Sequence, residues 1–196
     1  MKLKDIVKVI VFSIIGFVLT MGLGYVTGML GIAPSLYLSS AIATIIVAPV
    51  FVILSRSVGK KGVAFAYFFL IGLYYTLLMG MWPMLIINTI AGLLAELVMG
   101  SRENYTADNK RAGYAYGLGM FVYSFHAMII TFFFGTNPKI VDMMTADYMG
   151  FLKNFYTPAN IGICALISVV ASLIGASFGN YIYGKFFANK AKKSRL

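Results

Sequence analysis

Two side chains in this sequence have a chemistry at odds with their surroundings. His126, the one histidine of the chain, lies in the apolar run 113–134, one helical turn after Tyr123 and two after Gly119 on the same face. A neutral imidazole there can hydrogen-bond a ligand, give a nitrogen to a metal centre, or act as an axial ligand to an iron porphyrin, with Tyr123 and several methionines as further donors. It can equally be a core histidine bonded to a neighbouring helix. Glu96 is the only acid inside an apolar run, near the end of residues 83–99. An ionisable group in such a run costs on the order of 3 kcal/mol or more without a partner or water, so it marks a functional position by default. Two roles stay open for Glu96: an interfacial carboxylate paired with Arg102, Lys110 or Arg111, or a coupling and gating residue that contacts a partner subunit.

No Walker motif, His-Glu-x-x-His, nucleophile elbow or cysteine-rich metal pattern accompanies these residues, so neither an enzyme nor a resident cofactor or metal is expected. The elements that position them follow from composition. With 60% hydrophobic and 11% charged residues in a chain of 196, and a mean hydropathy of +0.87, the solvent is lipid. Apolar runs at 6–30, 36–54, 63–79, 83–99, 113–134 and 159–187 predict an all-α polytopic membrane protein with six transmembrane helices, read as one domain over 1–196. The first run is longer than a signal-peptide core and lacks an Ala-x-Ala site, so it is expected to stay. The single cysteine, Cys164, excludes an internal disulfide.

Charge sets the orientation. Fourteen of the sixteen Lys and Arg residues fall at the termini and in the turns 56–61 and 101–112; only Lys139 and Lys153 fall on the other side. The positive-inside rule then places both termini in the cytoplasm of a cell-membrane protein. The net charge of +10 reads as topology and attraction to anionic lipid, not to nucleic acid.

On the expected outer side, Tyr74, Tyr75 and Thr76, Asn88 and Asn160 lie at depths similar to that of His126, which predicts a polar pocket open outward. The loop 135–158, with Tyr148, Tyr156 and Met143, Met144 and Met149, would close it; it shows no evident regular structure. Trp82 suits the headgroup level, and Pro83 suits a first helical turn. In the first run Gly16, Thr20, Gly24 and Gly28 form a small-residue stripe, and Ala171, Gly175 and Gly179 repeat it in the last. Such stripes let a helix approach closely, whether from the same chain or from a separate subunit.

The opening link Gly-Met-Trp-Pro at 80–83, the Ala-Gly-Leu-Leu-Ala-Glu-Leu block at 91–97, the Lys-rich segment 1–8 and the corner 28–34 carry a resemblance. The chain resembles, essentially end to end, the Trep_Strep (MptS-like) group of S components of energy-coupling-factor (ECF) transporters. The resemblance implies a substrate-binding membrane subunit for a micronutrient, a vitamin-like compound or haem. It would work with a transmembrane coupling protein and two cytoplasmic ATPases and topple to release its substrate. The expected substrate-binding set is His126, Tyr123, Asn88, Trp82, Tyr75, Asn160 and Tyr148. The first helix of such subunits commonly docks the coupling protein through Ala-x-x-x-Ala; here Ser13, Gly16 and Thr20 are the nearest substitutes. The alternative is a stand-alone secondary carrier or small channel, although a proton-coupled carrier would want an acid nearer the midplane than Glu96.

Overall fold

Glycine and proline punctuate the chain where the apolar runs end. A computed structural model describes residues 2–106 and 110–188. Helix α1 spans Leu3–Gly28, α2 Ile32–Val58, α3 Val63–Met79 and α4 Pro83–Met99. The bounds of α3 and α4 coincide with those expected. Gly80 and Gly100 end these helices at φ +69° and +64°, backbone that a residue with a Cβ rarely adopts, and Pro83 starts α4 where no N–H is needed. Helix α2 begins four residues earlier than the hydropathy suggests. Pro34 sits inside its first turn, where the missing N–H costs nothing, rather than in the corner before it.

Helix α5 (Arg102–Thr106) interrupts the basic loop, and α6 (Arg111–Ser124) continues as the short α7 (His126–Ile129) and a π-helical turn at Ile130–Phe134. Two helices then occupy the expected irregular loop, α8 (Pro138–Met144) and α9 (Ala146–Phe155), before α10 (Pro158–Phe186). The loop expectation is thereby corrected, and the reason is capping. Asn137 accepts a hydrogen bond from the Lys139 amide at 3.1 Å, Thr145 from Tyr148 at 3.4 Å and Thr157 from Asn160 at 3.3 Å, one cap for each of the three helix starts.

Among the described residues, four helices are long and apolar enough to cross a membrane: α1, α2, the 24-residue stretch Arg111–Phe134, and α10. Helices α3 and α4, 17 residues each, stand at the lower limit of roughly 17 residues for a span. The long helices form a ring in the order α1, α2, α10, α6, α4, α3 and back to α1, with α2 also against α6. Lipid offers no hydrophobic gain for helix association, so close backbone approach does the work. A Cβ on Gly175 of α10 would stand 2.6 Å from the Thr44 carbonyl of α2, and one on Gly113 of α6 2.7 Å from the Ala176 carbonyl. Between these helices Phe51, Tyr67, Phe68 and Tyr116 form an aromatic cluster with centroids 5.1–6.5 Å apart, each pair worth about 0.5–1.5 kcal/mol beyond area burial. Outward, Val11, Ile14 and Val18 of α1 and Leu166, Leu173 and Ile174 of α10 are exposed, an apolar surface made for lipid.

One end of the bundle is basic. Lys60 in the α2–α3 turn bonds Asp5 at 2.8 Å, tying that turn to the start of α1. Buried Arg56 donates to Asn180 at 2.9 Å and lies 4.8 Å from the Tyr183 ring centroid, tying α2 to α10. Lys190, Lys192, Lys193 and Arg195, which belong to the same charge count, lie outside the described residues. At the far end α9 packs Leu152 and Phe155, with Tyr156 just beyond it, against Ala127 and Cys164, so the segment is a seated lid.

Candidate functional site

The break after Ser124 is what turns His126 inward. Ser124 donates to the Phe121 carbonyl at 2.7 Å and accepts from Ser168 at 2.9 Å, which stops α6; the chain passes through Phe125 at φ −94°, ψ 10° and resumes as α7 and the π turn. Breaks of this type cluster at functional positions. Here the break brings His126 Nδ1 to 2.9 Å from the carbonyl of Tyr123. A carbonyl only accepts, so Nδ1 carries the proton and Nε2 keeps a free lone pair. The imidazole stacks on the Tyr123 ring at 4.8 Å, and the Tyr123 hydroxyl meets that of Tyr75 on α3 at 2.7 Å. Phe17 of α1 holds Tyr75 edge-on at 5.0 Å.

Tyr75, Tyr123 and His126 face a cavity of about 300 Å³ beside the α8–α9 segment. From α1 it takes Thr20, Met21 and Tyr25; from α2 Ser35, Ser39 and Ser40; and from α3 and the link after it Tyr75, Met79 and Met81. Tyr123, His126 and Ala127 form another side, and Tyr148 of α9 comes from the lid. Burial pushes the Tyr148 phenol up, so it stays neutral. Among the described residues that line the cavity, none is an acid, a lysine or an arginine. It is a neutral chamber of hydroxyls, aromatic faces and thioethers with one imidazole acceptor.

Of the expected substrate-binding set, His126, Tyr123, Tyr75 and Tyr148 meet in this cavity. Asn88 does not reach it: it is wholly buried between α4 and α3, donates to the Met84 carbonyl at 2.9 Å, and packs its Cβ on Gly72. Trp82 sits edge-on to Phe134 at 5.0 Å, outside the cavity. Asn160 donates to the Phe155 carbonyl at 2.6 Å and borders a separate shallow groove with Tyr37 and Asn154. Ser35, Ser39, Tyr25 and Thr20 were not expected to line the cavity. The spacing Ser35-x-x-x-Ser39, which puts two hydroxyls on one helical face, is the signal that carries them.

The part of α1 at Ser13, Gly16 and Thr20 faces its own chain, whereas Gly24 and Gly28 have nothing within 4 Å of where a Cβ would stand. Ser13 is buried and meets the Tyr74 hydroxyl at 3.1 Å; Gly16 lies directly against the Tyr67 phenol; and Thr20 faces the cavity. Its close approach is to α3 of the same chain. Glu96, at the basic end, takes a third kind of partner. Its carboxylate accepts from the Gly62 amide at 2.7 Å, the Phe65 amide at 3.3 Å and the Tyr105 hydroxyl at 2.6 Å. It therefore supplies the N-terminal cap of α3, whose own N-cap residue is a glycine, and fixes α5 beside it. Burial, then the hydrogen bond to the Glu96 carboxylate and its charge, push the Tyr105 phenol up, so it remains a donor.

Three comparisons bear on this architecture. A family model described as "Hypothetical bacterial integral membrane protein (Trep_Strep)" matches residues 3–189. A solved structure described as an S-component of an ECF transporter superposes with a TM-score of 0.57 at 19% identity, covering 100% of this chain and 95% of that one. At that identity the likeness speaks for the fold: an all-α membrane bundle of the S-component type. No curated protein matches the sequence.

Proposed function

We propose, from the premise that this chain belongs to the Trep_Strep family of integral membrane proteins, that it is the substrate-binding S component of an ECF-type importer. The observation that carries this reading is the uncharged cavity, bordered by Tyr148 of α9, at the end opposite the basic surface, on a fold of the S-component type. On the positive-inside rule that cavity faces outward and both termini face the cytoplasm, with α3 and α4 as the two shortest of six spans. The sequence has no nucleotide-binding motif, so energy must come from partners: a transmembrane coupling protein and two cytoplasmic ATPases. A stand-alone proton-coupled carrier loses its one intramembrane acid, because Glu96 is engaged in capping α3.

The lining supports a compact, vitamin-like substrate that brings no anionic charge. An iron porphyrin carries two carboxylates, and no cation on the cavity wall would pair with them. His126 Nε2 would accept a hydrogen bond from the substrate, and Tyr75, Tyr123 and Tyr148 would supply faces and hydroxyls. The test uses the purified chain in liposomes with a panel of tritiated water-soluble vitamins, and with haemin followed by its Soret band. The expected result is saturable binding of a neutral ring compound, no concentrative uptake without the partners, and an unshifted Soret band. Accumulation by the chain alone would contradict the subunit reading, and a Soret shift weakened by His126→Ala would contradict the substrate class.

A further inference from the structure

The side of the cavity formed by the α3–α4 link is rich in sulfur. Met79 and Met81 flank Gly80 there, and both share the cavity with Met21 and His126. Met143 of the lid packs over the same link. Its Sδ lies 3.7 Å from where a Cβ on Gly80 would stand, an ordinary contact distance. Met143 is 44% exposed, whereas Met79 and Met81 are partly buried against the core. The thioethers therefore run from the outer surface inward.

Thioether sulfur is a soft, uncharged donor that suits Cu(I) and is a poor ligand for Mg²⁺ or Ca²⁺. The imidazole is set up in a compatible way. Metal-ligating histidines usually give one ring N–H to a carbonyl or carboxylate, which fixes the tautomer and turns the other nitrogen to the metal. His126 does this through Nδ1 and the Tyr123 carbonyl, leaving Nε2 with its lone pair. Charge narrows the choice further. With no carboxylate or thiolate among the described lining residues, a divalent ion would be buried without counter-charge, whereas a monovalent soft ion loses less on leaving water.

We propose that the cavity binds a soft monovalent metal ion, Cu(I), between the thioethers of Met21, Met79 and Met81 and Nε2 of His126, with Met143, packed over the link outside the cavity wall, nearest the outer surface. The site adds a ligand class to the cavity already described, and because Nε2 has one lone pair the ion and a substrate hydrogen-bonded there exclude each other. It rests on the cavity's donors and not on the transporter reading. The hydroxyls of Ser35 and Ser39 come from α2 and take no part in it.

The experiment titrates the full-length protein, purified in detergent without oxygen, with Cu(I) in competition with the chromophoric chelator bicinchoninate. The expected result is one equivalent of Cu(I) withdrawn from the chelator. Met79→Leu with Met81→Leu, and separately His126→Ala, should each weaken binding by roughly 10- to 100-fold. Met-to-Leu exchange nearly conserves volume, so an unchanged melting temperature separates lost ligation from lost fold. Met120→Leu, in the core away from the cavity, should bind as the parent does. The proposal is overturned if no Cu(I) is withdrawn, if binding is lost only in Cys164→Ser, or if Zn²⁺ is held as tightly as Cu(I). None of these outcomes touches the subunit reading, which is tested by assembly with its partners.

Discussion

Glu96→Leu is expected to be among the most damaging single substitutions in the chain, and to act on the fold rather than on the substrate. The carboxylate accepts from two amides at the start of α3 and from the Tyr105 hydroxyl. Removing it leaves those donors in a half-buried, low-dielectric site. Hydrogen bonds to charged groups are worth about 1.5–3 kcal/mol each, and stranded partners add their desolvation, so a loss of about 3 kcal/mol or more is expected. Glu96→Gln keeps one acceptor oxygen and should cost about 1 kcal/mol. Thermal unfolding in detergent measures both. A gating role would give the opposite pattern: Glu96→Leu melting like the parent, with substrate binding intact and transport lost.

Gly16→Leu is expected to break the packing of α1 on α3. A Cβ at Gly16 would run into the Tyr67 phenol, with its Cζ only 2.8 Å away. Even alanine there should cost about 1–3 kcal/mol, the range for overpacking a filled site, and leucine more. The phenol offers an internal control. Tyr67 Oη is buried with no hydrogen-bond partner among the described residues, so Tyr67→Phe alone should be nearly neutral and should recover part of the Gly16→Ala loss. Gly16→Leu that folds and binds normally but fails to assemble would instead assign the stripe to a partner subunit.

These two residues also mark how far the sequence could be read. Glu96 stood out because an acid in an apolar run is costly, yet hydropathy says nothing about which donors will satisfy it; the partners proved to be the amides of a helix 31 and 34 residues away in sequence. The stripe at Gly16 announced a close approach, but a small residue does not specify who approaches. The bounds of α3 and α4 were legible because Gly80, Gly100 and Pro83 act locally. The lid helices α8 and α9 were missed because their signals are single capping residues, Asn137 and Thr145, set in a stretch with no long apolar period. In the candidate site, the juxtaposition of His126 and Tyr123 was legible because three-residue spacing fixes a shared face. Asn88 and Asn160 lie away from the cavity because depth in the membrane is not direction: each spends its amide on a nearby carbonyl. Ser35 and Ser39 gave only a faint signal, since serine near a helix start is ordinary.

The most direct test of the central claim is assembly. The chain, carrying a C-terminal affinity tag, is purified under mild detergent from the membranes of its own cell, and the complex is identified by mass spectrometry. The subunit reading predicts a stoichiometric complex with one transmembrane coupling protein and two ATPases, with ATP hydrolysis retained by the complex and absent from the isolated chain. A chain that purifies alone or only with copies of itself, while still driving uptake in reconstituted vesicles, would contradict it.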